Sequence, residues 1–372
     1  MDPKITYVFG SGRTIKLESN NQSAKDFFYG YLDFKDEFID TDFLEFDKDV
    51  SNAFFYKLLY FLSKILRKLS NLPFFFESIL SKKNKKKFKN TDYIIATTDR
   101  IGVSLLPYLI QNKIFSYNKT TIIVMGLLAK KQDKFINKLF QRMLINLFFN
   151  CSDNLIFLSK NEYLQSRMSY IKYRDKFHYL PFCTDVNFWD IDKKEISDYV
   201  LFIGNDGRRK FDLILQIAEQ LPSLKFKIVS EKIPIDKIKS KNVELVEGQW
   251  NKSLLTDHEI KEIYSGAALS IIPIKNSYQP SGQSVALQSM SLKVPVLITD
   301  TVGFWDKEKF KDKNNIWFLE NNNLQNWCDN ISYLMDHEQE RYQISDKAKK
   351  TVNQFFNTQL FYEELKKIIF SE

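Results

Sequence analysis

Two stretches in the second half of the chain combine cations, glycine and hydroxyl residues in the manner of an anion-binding site. Residues 199–219 (YVLFIGNDGRRKFDLILQIAE) predict a buried strand, a turn with Gly204 and three cations at 208–210, and a helix. Residues 277–306 predict a loop with Pro, Ser and Gly, a helix, and a second buried strand over 295–300. Backbone N–H groups and helix N-termini at such junctions hold anions. The pair of junctions therefore predicts a site for a diphosphate.

The cations and small residues of these junctions are the candidates for contact with phosphate oxygens. Lys210 and Arg209 would contribute positive charge that binds a diphosphate. The alternative for both residues, and for their neighbour Arg208, is a solvated basic turn. At the second junction, Ser281 would cap the helix and bond a phosphate oxygen, and Gly282 would permit close backbone approach. A plain helix cap is the alternative there.

The first half offers weaker candidates. Gly10 and Gly12 form a Gly-containing loop after the first predicted strand, a pattern that a tight turn alone also explains. Asp99 follows a strand predicted over 92–98, where it would orient a substrate hydroxyl. No His, Cys, Asp or Glu spacing is typical of a metal site, and we attribute the Asp-Thr-Asp match at 40–42 to chance.

These segments resemble the retaining nucleotide-sugar glycosyltransferases of family 4 (glycosyl transferases group 1). Gly204 and Lys210 keep the six-residue spacing of the Gly and Lys in the family's motif. Three further segments are similar to family motifs. Residues 287–300 (LQSMSLKVPVLITD) are similar to "LEAMACGKPVIATD", and residues 178–189 (HYLPFCTDVNFW) are similar to "IPxGVDxxxF". Residues 24–32 (AKDFFYGYL) are similar to "PxEFFYG". The resemblance is close over residues 175–370 and looser before them.

The resemblance implies an α/β chain with two Rossmann-like domains facing a cleft, the GT-B architecture with parallel sheets and flanking helices. The alternation of strand and helix patterns agrees with βαβ units. We expect an acceptor-binding domain over 1–186 and a nucleotide-sugar-binding domain over 187–355, joined by a linker at 186–196. Residues 356–372 are expected to form a helix that crosses back to the first domain.

By the same resemblance, the chain would transfer a sugar from a nucleotide-diphosphate donor to a hydroxyl of a glycan or lipid-linked glycan. Retention of the anomeric configuration, independence of metal and no cofactor besides the donor substrate are implied. Asp99 and Lys210 would be catalytic. The residues expected to bind the donor are Gly10, Gly12, Gly204, Arg209, Lys210, Ser281, Gly282, Gln283 and Gln288.

The sequence departs from the family at three positions. Asn205 stands where the family has Arg, and Pro280 and Gln288 replace the family's Glu-x7-Glu pair. A glutamine can still accept from and donate to the ribose hydroxyls, without the strength that a charge adds. The substitutions leave open a non-catalytic partner subunit that binds a nucleotide-sugar or glycan. A nucleotide-sugar epimerase of the same architecture is a further alternative, although acid and base candidates are sparse.

The positive charge of the chain is concentrated in residues 51–150, which contain 18 Lys and Arg residues and only 4 Asp and Glu residues. Residues 54–76 have a helical pattern rich in aromatic and aliphatic side chains, with cations on one side, and 82–89 is a lysine run. This pattern predicts contact with an anionic membrane surface through residues 54–89. The alternative, also open for 130–149, is an ordinary core-facing amphipathic helix. Nucleic acid is not expected, because no recognised binding module is present.

Cysteine usage and the N-terminal residues indicate a compartment. Three scattered cysteines without disulfide or metal spacing fit a reducing cytosol. The first residues (MDPKITYVFGSGR) predict a strand and a turn and do not have the pattern of a signal peptide. No apolar run is long enough for a membrane-spanning helix. We therefore expect a cytoplasmic protein, peripheral at the inner face of the membrane.

Overall fold

The computed structural model describes residues 3–18, 23–37, 39–46, 54–130, 132–191, 198–248 and 255–371. By its internal contacts the chain forms two compact units. The first comprises Met1–Thr14, Phe28–Pro181 and Tyr362–Glu372, and the second comprises Ile15–Phe27 and Phe182–Phe361. Residues 192–196 of the predicted linker lie outside the described residues. The sequence did not predict that Ile15–Phe27 would belong to the second unit.

The first unit is built on a six-stranded parallel sheet in the order β2-β1-β3-β4-β5-β6. Its strands are β1 (Ile5–Gly10), β2 (Thr41–Phe46), β3 (Tyr93–Ala96), β4 (Lys119–Val124), β5 (Asn154–Phe157) and β6 (Phe177–Tyr179). The sheet is buried on both faces, which explains the continuous apolar runs of β3, β4 and β5. The chain order reverses between β1 and β3, so the carboxyl ends of these strands flank the place where ligands bind in such sheets.

Eight α-helices lie between residues 13 and 169 in the described part of the chain, and the first of them passes from the first unit into the second at Ile15. They are α1 (Arg13–Glu18), α2 (Tyr31–Asp36), α3 (Phe54–Ser70), α4 (Lys82–Lys89), α5 (Asp99–Ser104), α6 (Leu106–Phe115), α7 (Phe135–Cys151) and α8 (Lys160–Ser169). The lysine run is helix α4, which begins after the cap Ser81 and buries Phe88. Capping by Ser81 and burial of one aromatic ring hold a helix that its lysines alone would not favour.

The second unit has a six-stranded parallel sheet in the order β12-β11-β10-β7-β8-β9. Its strands are β7 (Tyr199–Ile203), β8 (Lys225–Val229), β9 (Val243–Val246), β10 (Ala267–Ile272), β11 (Val296–Thr299) and β12 (Trp317–Leu319). This is the strand order of a Rossmann fold, with its first strand beside its fourth. The reversal between β7 and β10 places the two predicted anion-binding junctions next to each other.

The helices of the second unit are α9 (Phe211–Gln220), α10 (Asp257–Ser265), α11 (Gln283–Ser291), α12 (Leu324–Asp336) and α13 (Glu338–Phe355), followed by α14 (Thr358–Phe370). From Tyr362 onward α14 groups with the first unit, where Tyr362 packs edge-on against Phe34, with ring centroids 4.8 Å apart. The predicted fold class, α/β with two parallel sheets flanked by helices, is confirmed. Within the residues described, no helix has both the length and the apolar character needed to cross a bilayer.

Candidate functional site

A cavity of about 400 Å³ opens at the carboxyl ends of β7, β8 and β9 and beside the start of α11. Its polar lining includes Asn205, Asp206, Arg209, Asp257, Tyr264, Ser284 and Gln288. A larger cavity, about 910 Å³, lies at the amino ends of the strands in the first unit. Ligands of open parallel sheets bind at the carboxyl ends, so we assign the candidate site to the smaller cavity.

The turn after β7 is fixed to the chain that follows β10. The N–H of Lys210 donates to the Pro273 carbonyl at 3.0 Å, and the N–H of Lys275 donates to the Arg208 carbonyl at 2.8 Å. The side chain of Arg208 donates to Gln279 Oε1 at 3.1 and 3.2 Å. These bonds make the cationic turn a rigid wall of the site and draw Arg208 toward the second junction.

Arg209 is the buried cation of the cavity, with only 4% of its surface exposed. Its Nε lies 3.1 Å from Asp206 Oδ2, but this ion pair does not have hydrogen-bond geometry. Its Nη1 has no hydrogen-bond partner among the residues that the structure describes. Burial lowers the pKa of the guanidinium, an effect that Asp206 opposes. A buried, incompletely paired cation is costly, and an anion in the cavity would offset that cost.

Two glycines make room for this arginine. A Cβ on Gly204 would lie 2.5 Å from Arg209 Nε, and one on Gly282 would lie 3.0 Å from Arg209 Nη1. Gly282 also has φ +81°, in the left-handed region where glycine is favoured. Both predicted glycines are therefore positioned beside the same guanidinium, and they act by leaving space for it.

Asn205, which replaces an arginine of the resembled family, has a structural role. Its Oδ1 accepts from the N–H of Glu231 at 2.8 Å, and its Nδ2 donates to the Gly248 carbonyl at 2.5 Å. The side chain thus joins the loops that follow β7, β8 and β9. An arginine at 205 could not accept from Glu231, since a guanidinium has no acceptor.

The N-terminus of α11 borders the cavity. Its N-cap is Gly282, and no side chain caps the helix. The expectation that Ser281 caps α11 is therefore wrong, because the left-handed glycine takes the cap position one residue later. Gln283 is buried in the first turn, and Ser284 and Val285 line the cavity. The first-turn N–H groups lack partners within a helix and favour an anion.

Gln288 connects the cavity to a buried carboxylate. Its Nε2 donates to Asp26 Oδ2 at 2.7 Å, and its Oε1 accepts from the Tyr264 hydroxyl at 3.0 Å. Asp26 also accepts from Trp189 Nε1 at 2.8 Å and from the N–H of Asp185 at 2.5 Å. Because both ends of the Gln288 amide are engaged, contact with ribose hydroxyls would require it to share or exchange these bonds.

Asp26 has no exposed surface. Burial raises its pKa to about 7, against the lowering effect of the bonds from Gln288, Asp185 and Trp189. A glutamate at 288 would place a second carboxylate beside this one, whereas a glutamine supplies the donor that Asp26 needs. The structure thus gives a physical reason for the Glu-to-Gln departure.

The segment around Asp26 was missed as a contributor to this site. Lys16 forms a buried ion pair with Asp257, and the N–H of Ala24 donates to the same carboxylate at 3.0 Å. Ala24 and Phe27 line the cavity. The one sequence signal was the acid at position 26, which matches the Glu of the family's "PxEFFYG" element.

The remaining predicted residues occupy different positions. Lys210 is half-buried just before α9; its side chain has no hydrogen bond or ion pair with any described residue, and it does not line the cavity. Gly10 ends β1, and Gly12 has φ +97° in the turn that follows, both in the first unit. Asp99 is buried at the start of α5, where it forms an ion pair with Lys130.

The first unit holds a second buried carboxylate. Glu162 accepts from the N–H groups of Gly126 at 2.8 Å and Leu128 at 3.1 Å, which orders the loop after β4. Burial raises its pKa to about 7, and the charge of Asp99 adds to the effect. Asp99 and Glu162 thus belong to one electrostatic cluster at the carboxyl ends of β3, β4 and β5. In the described parts of both units, no three His, Cys, Asp or Glu residues are grouped to hold a metal ion.

Helix α3 carries an exposed apolar surface. Leu59, Ser63 and Ser70 form its buried side. The larger apolar residues are exposed by 38–83%: Phe54, Phe55, Leu58, Tyr60, Phe61, Leu62, Ile65 and Leu69. Helix α7 packs against α3 and adds exposed Phe135, Ile136 and Leu139 to the same unit, while it buries Phe148 and Phe149 in the core. An ordinary amphipathic helix whose apolar side faces the core is therefore a wrong description of α3. For α7 that description holds for one side of the helix only.

Comparisons with solved structures support the fold and extend over the whole chain. The chain matches HepE of Anabaena in complex with UDP-glucose with a TM-score of 0.68 and 13% identity, covering 99% of this chain and 100% of HepE. It matches sucrose-phosphate synthase of Thermosynechococcus elongatus with a TM-score of 0.69 and 10% identity, covering 98% of both chains. A glycosyltransferase of Rickettsia africae matches with a TM-score of 0.59 and 12% identity, covering 100% of both chains.

At these identities the likeness establishes the GT-B type of fold and nothing finer. No protein-family model matches the sequence, and a search of curated proteins gives no significant match.

Proposed function

We propose that this protein is a glycosyltransferase that binds a nucleotide-diphosphate sugar in the cavity of the second unit. The observation that carries the proposal is the buried Arg209 guanidinium, incompletely paired, beside the N-terminus of α11. Two independent features that favour an anion converge at the edge of the sheet where nucleotides bind. HepE, a structure of the same fold, binds UDP-glucose, so a UDP-linked hexose is the donor we propose.

The proposed chemistry follows from where the charge develops. As the glycosidic bond breaks, negative charge builds on the diphosphate. Arg209 and the first-turn N–H groups of α11 stabilise that charge in a site partly removed from water. The side chain of Lys210 makes no hydrogen bond or ion pair with the described residues, and it supplies a second cation. We propose that it reaches the leaving group from outside the cavity. Retention of configuration and independence of metal follow from the resemblance and belong to the same proposal.

Arg209→Lys is expected to weaken the binding of UDP-glucose about tenfold or more. A lysine keeps the charge but loses the planar set of donors, and loss of one charge-assisted hydrogen bond costs about 1.5–3 kcal/mol. Lys210→Ala should reduce turnover more than affinity, because its effect falls on the charge that develops in the transition state. Isothermal calorimetry and a UDP-release assay with each variant separate the two effects.

The control for these variants is Lys225→Ala, a cation of the same unit whose side chain is 72% exposed. It should leave affinity and turnover unchanged. If UDP-, GDP-, ADP- and CDP-linked sugars all fail to bind, the donor site is refuted. Binding without UDP release in the presence of any glycan acceptor would favour the non-catalytic partner subunit.

We further propose that the acceptor is a glycan or lipid-linked glycan and that α3 and α4 rest on an anionic membrane surface. The exposed apolar residues of α3 adjoin its cations Lys57, Lys64 and Lys68, and α4 adds a lysine cluster. Helices with this arrangement insert their apolar side between headgroups while the cations attract anionic lipids. A cytoplasmic location at the inner face of the membrane is part of this proposal.

The double variant Phe54→Ser/Phe61→Ser should bind vesicles of phosphatidylcholine and phosphatidylglycerol at least about tenfold more weakly than the unaltered protein. The two rings are 83% and 58% exposed, so their loss removes apolar area from the bilayer contact without opening the core. Co-sedimentation at physiological salt measures the partition. Ile235→Ser, at a residue 78% exposed in the second unit, should have no effect. Absence of vesicle binding by the unaltered protein would refute the membrane contact.

A further inference from the structure

Two arginines of the first unit share one aromatic ring. The guanidinium carbon of Arg100 lies 4.1 Å from the ring centroid of Phe75, and that of Arg67 lies 4.3 Å from the same centroid. Arg100 also lies 5.3 Å from the ring centroid of Phe46, at the carboxyl end of β2. Cation–π contacts of this kind orient a guanidinium while they leave its N–H donors available in the plane of the group.

Among the residues that the structure describes, this Arg67–Phe75–Arg100 cluster has two cations and one acid, Glu77, that acts on both of them. Glu77 Oε1 is 4.0 Å from Arg67 Nη1, and its Oε2 accepts from the Ser63 hydroxyl at 2.7 Å. Arg67 donates one hydrogen bond to the Phe74 carbonyl at 2.5 Å. Arg100, in contrast, makes no side-chain hydrogen bond or ion pair to any residue that the structure describes. Desolvation lowers the pKa of Arg100, and repulsion from Arg67 adds to the effect.

The cluster is held rigidly in place. The N–H of Phe75 donates to Ser104 Oγ at 2.9 Å, and that hydroxyl donates to the Arg100 carbonyl one turn earlier in α5. The ring of Phe75 packs edge-on against Phe46, with centroids 6.3 Å apart. The donors of the two guanidiniums are thus positioned before any ligand arrives, which lowers the entropic cost of binding.

The cluster joins the exposed apolar surface of α3. Arg67 belongs to the last turns of α3, and its guanidinium carbon is also 5.9 Å from the ring centroid of Tyr60, a residue 52% exposed on that helix. Asp99 is next to Arg100 in the sequence, but its carboxylate pairs with Lys130 and not with Arg67 or Arg100. Cations at the carboxyl edge of the sheet therefore lie beside an apolar surface within one unit.

We propose that Arg67 and Arg100 bind the phosphate or diphosphate of a substrate that carries a long hydrocarbon chain, with the chain against α3. Both guanidinium carbons lie within 4.3 Å of the centroid of the Phe75 ring, so one ligand could contact both groups. A phosphate or diphosphate that accepts from both guanidiniums would make charge-assisted hydrogen bonds of about 2.8 Å. The identification of this ligand as the acceptor rests on the proposed function. In that case the acceptor glycan would be attached to a lipid phosphate.

The test is binding of dodecyl phosphate below its critical micelle concentration to the full-length protein, with inorganic phosphate and neutral dodecyl maltoside as separate arms. Dodecyl phosphate should bind at least about tenfold more tightly than either, because only it satisfies both the cations and the apolar surface. Arg100→Gln should weaken dodecyl phosphate binding about tenfold. Lys172→Gln, which removes one charge from an exposed residue of the first unit outside α3 and α4, should change it less than about twofold.

Unaltered dodecyl phosphate binding in Arg100→Gln would overturn the proposal. Equal affinity for inorganic phosphate would also overturn it, because the hydrocarbon would then play no part, and equal affinity for dodecyl maltoside would remove the role of the cations. UDP-glucose binding, measured on the same samples, should be unchanged in Arg100→Gln. If UDP-glucose fails to bind while dodecyl phosphate binds through Arg100, the donor proposal fails and the lipid-phosphate site stands.

Discussion

Gln288→Glu, which restores the residue of the resembled family, is expected to lower the free energy of unfolding of the second unit by about 3 kcal/mol at pH 8. The new carboxylate would take the place of an Nε2 that donates at 2.7 Å to Asp26, a residue with no exposed surface. Asp26 would lose a donor and gain a like charge, and a buried pair of this kind costs several kcal/mol.

The cost should depend on pH in a defined direction. Burial already raises the pKa of Asp26 to about 7, and a neighbouring carboxylate would raise it further. A carboxyl whose pKa is higher in the folded than in the unfolded chain stabilises the fold fully below the unfolded value, about 4. That contribution is lost as the pH rises through the folded value. The destabilisation in Gln288→Glu should therefore be largest at pH 8 and should shrink toward pH 5, where the two carboxyls share a proton.

Urea unfolding at pH 5 and pH 8, followed by tryptophan fluorescence, measures this effect in the second unit. All five tryptophans of the chain lie between residues 182 and 361, so the signal reports on that unit. Gln216→Glu, on the exposed side of α9, adds the same charge to the same unit and should cost less than about 0.5 kcal/mol. Equal stability of Gln288→Glu and the unaltered protein at pH 8 would refute the role assigned to Asp26.

The sequence predicts those parts of the fold and site that depend on local patterns. The apolar runs of β7, β10 and β11 identify buried parallel strands, because such strands lack alternation. The turns at Gly204 and Gly282 follow from glycine next to a strand end or helix start. The edge strand β2 was not predicted, because its acids Asp42 and Glu45 suggested a solvated surface. Asp42 pairs with Lys87 of α4, a contact distant in sequence.

The parts that sequence reasoning missed depend on contacts between distant segments. Asp26 lies more than 150 residues from Asp185 and Trp189, and further still from Gln288, so no local pattern brings them together. Arg209 and Arg208 were equivalent as neighbouring cations of a turn. They differ because one side chain is buried between Gly204 and Gly282 and the other is directed to Gln279. The burial and the hydrogen-bond partners of these two arginines are set by the fold of the second unit, so the sequence of the turn alone does not distinguish them.

The second large effect is expected at a residue outside the cavity. Gly303→Ala should lower the free energy of unfolding by about 2–4 kcal/mol and weaken UDP-glucose binding at least about tenfold. A Cβ at Gly303 would lie 2.3 Å from the Ser277 carbonyl oxygen and 2.8 Å from that of Gln279, so backbone must move. Those residues begin the loop that leads to Ser281 and α11, and Asn276 fixes the same loop by accepting from Val302 N–H at 3.1 Å.

Displacement of this loop is what links the substitution to binding. Gln279 accepts both bonds from Arg208, and Gly282 bounds the space occupied by Arg209, so a shift of the loop moves the cations and the N-terminus of α11 together. Gly207→Ala is the matched control, since a Cβ at Gly207 meets no atom within 4 Å. It should leave the urea midpoint and the Kd for UDP-glucose unchanged. If Gly303→Ala lost stability but bound UDP-glucose normally, the loop would not determine the geometry of the donor site, and the site would have to be built from the β7 turn alone.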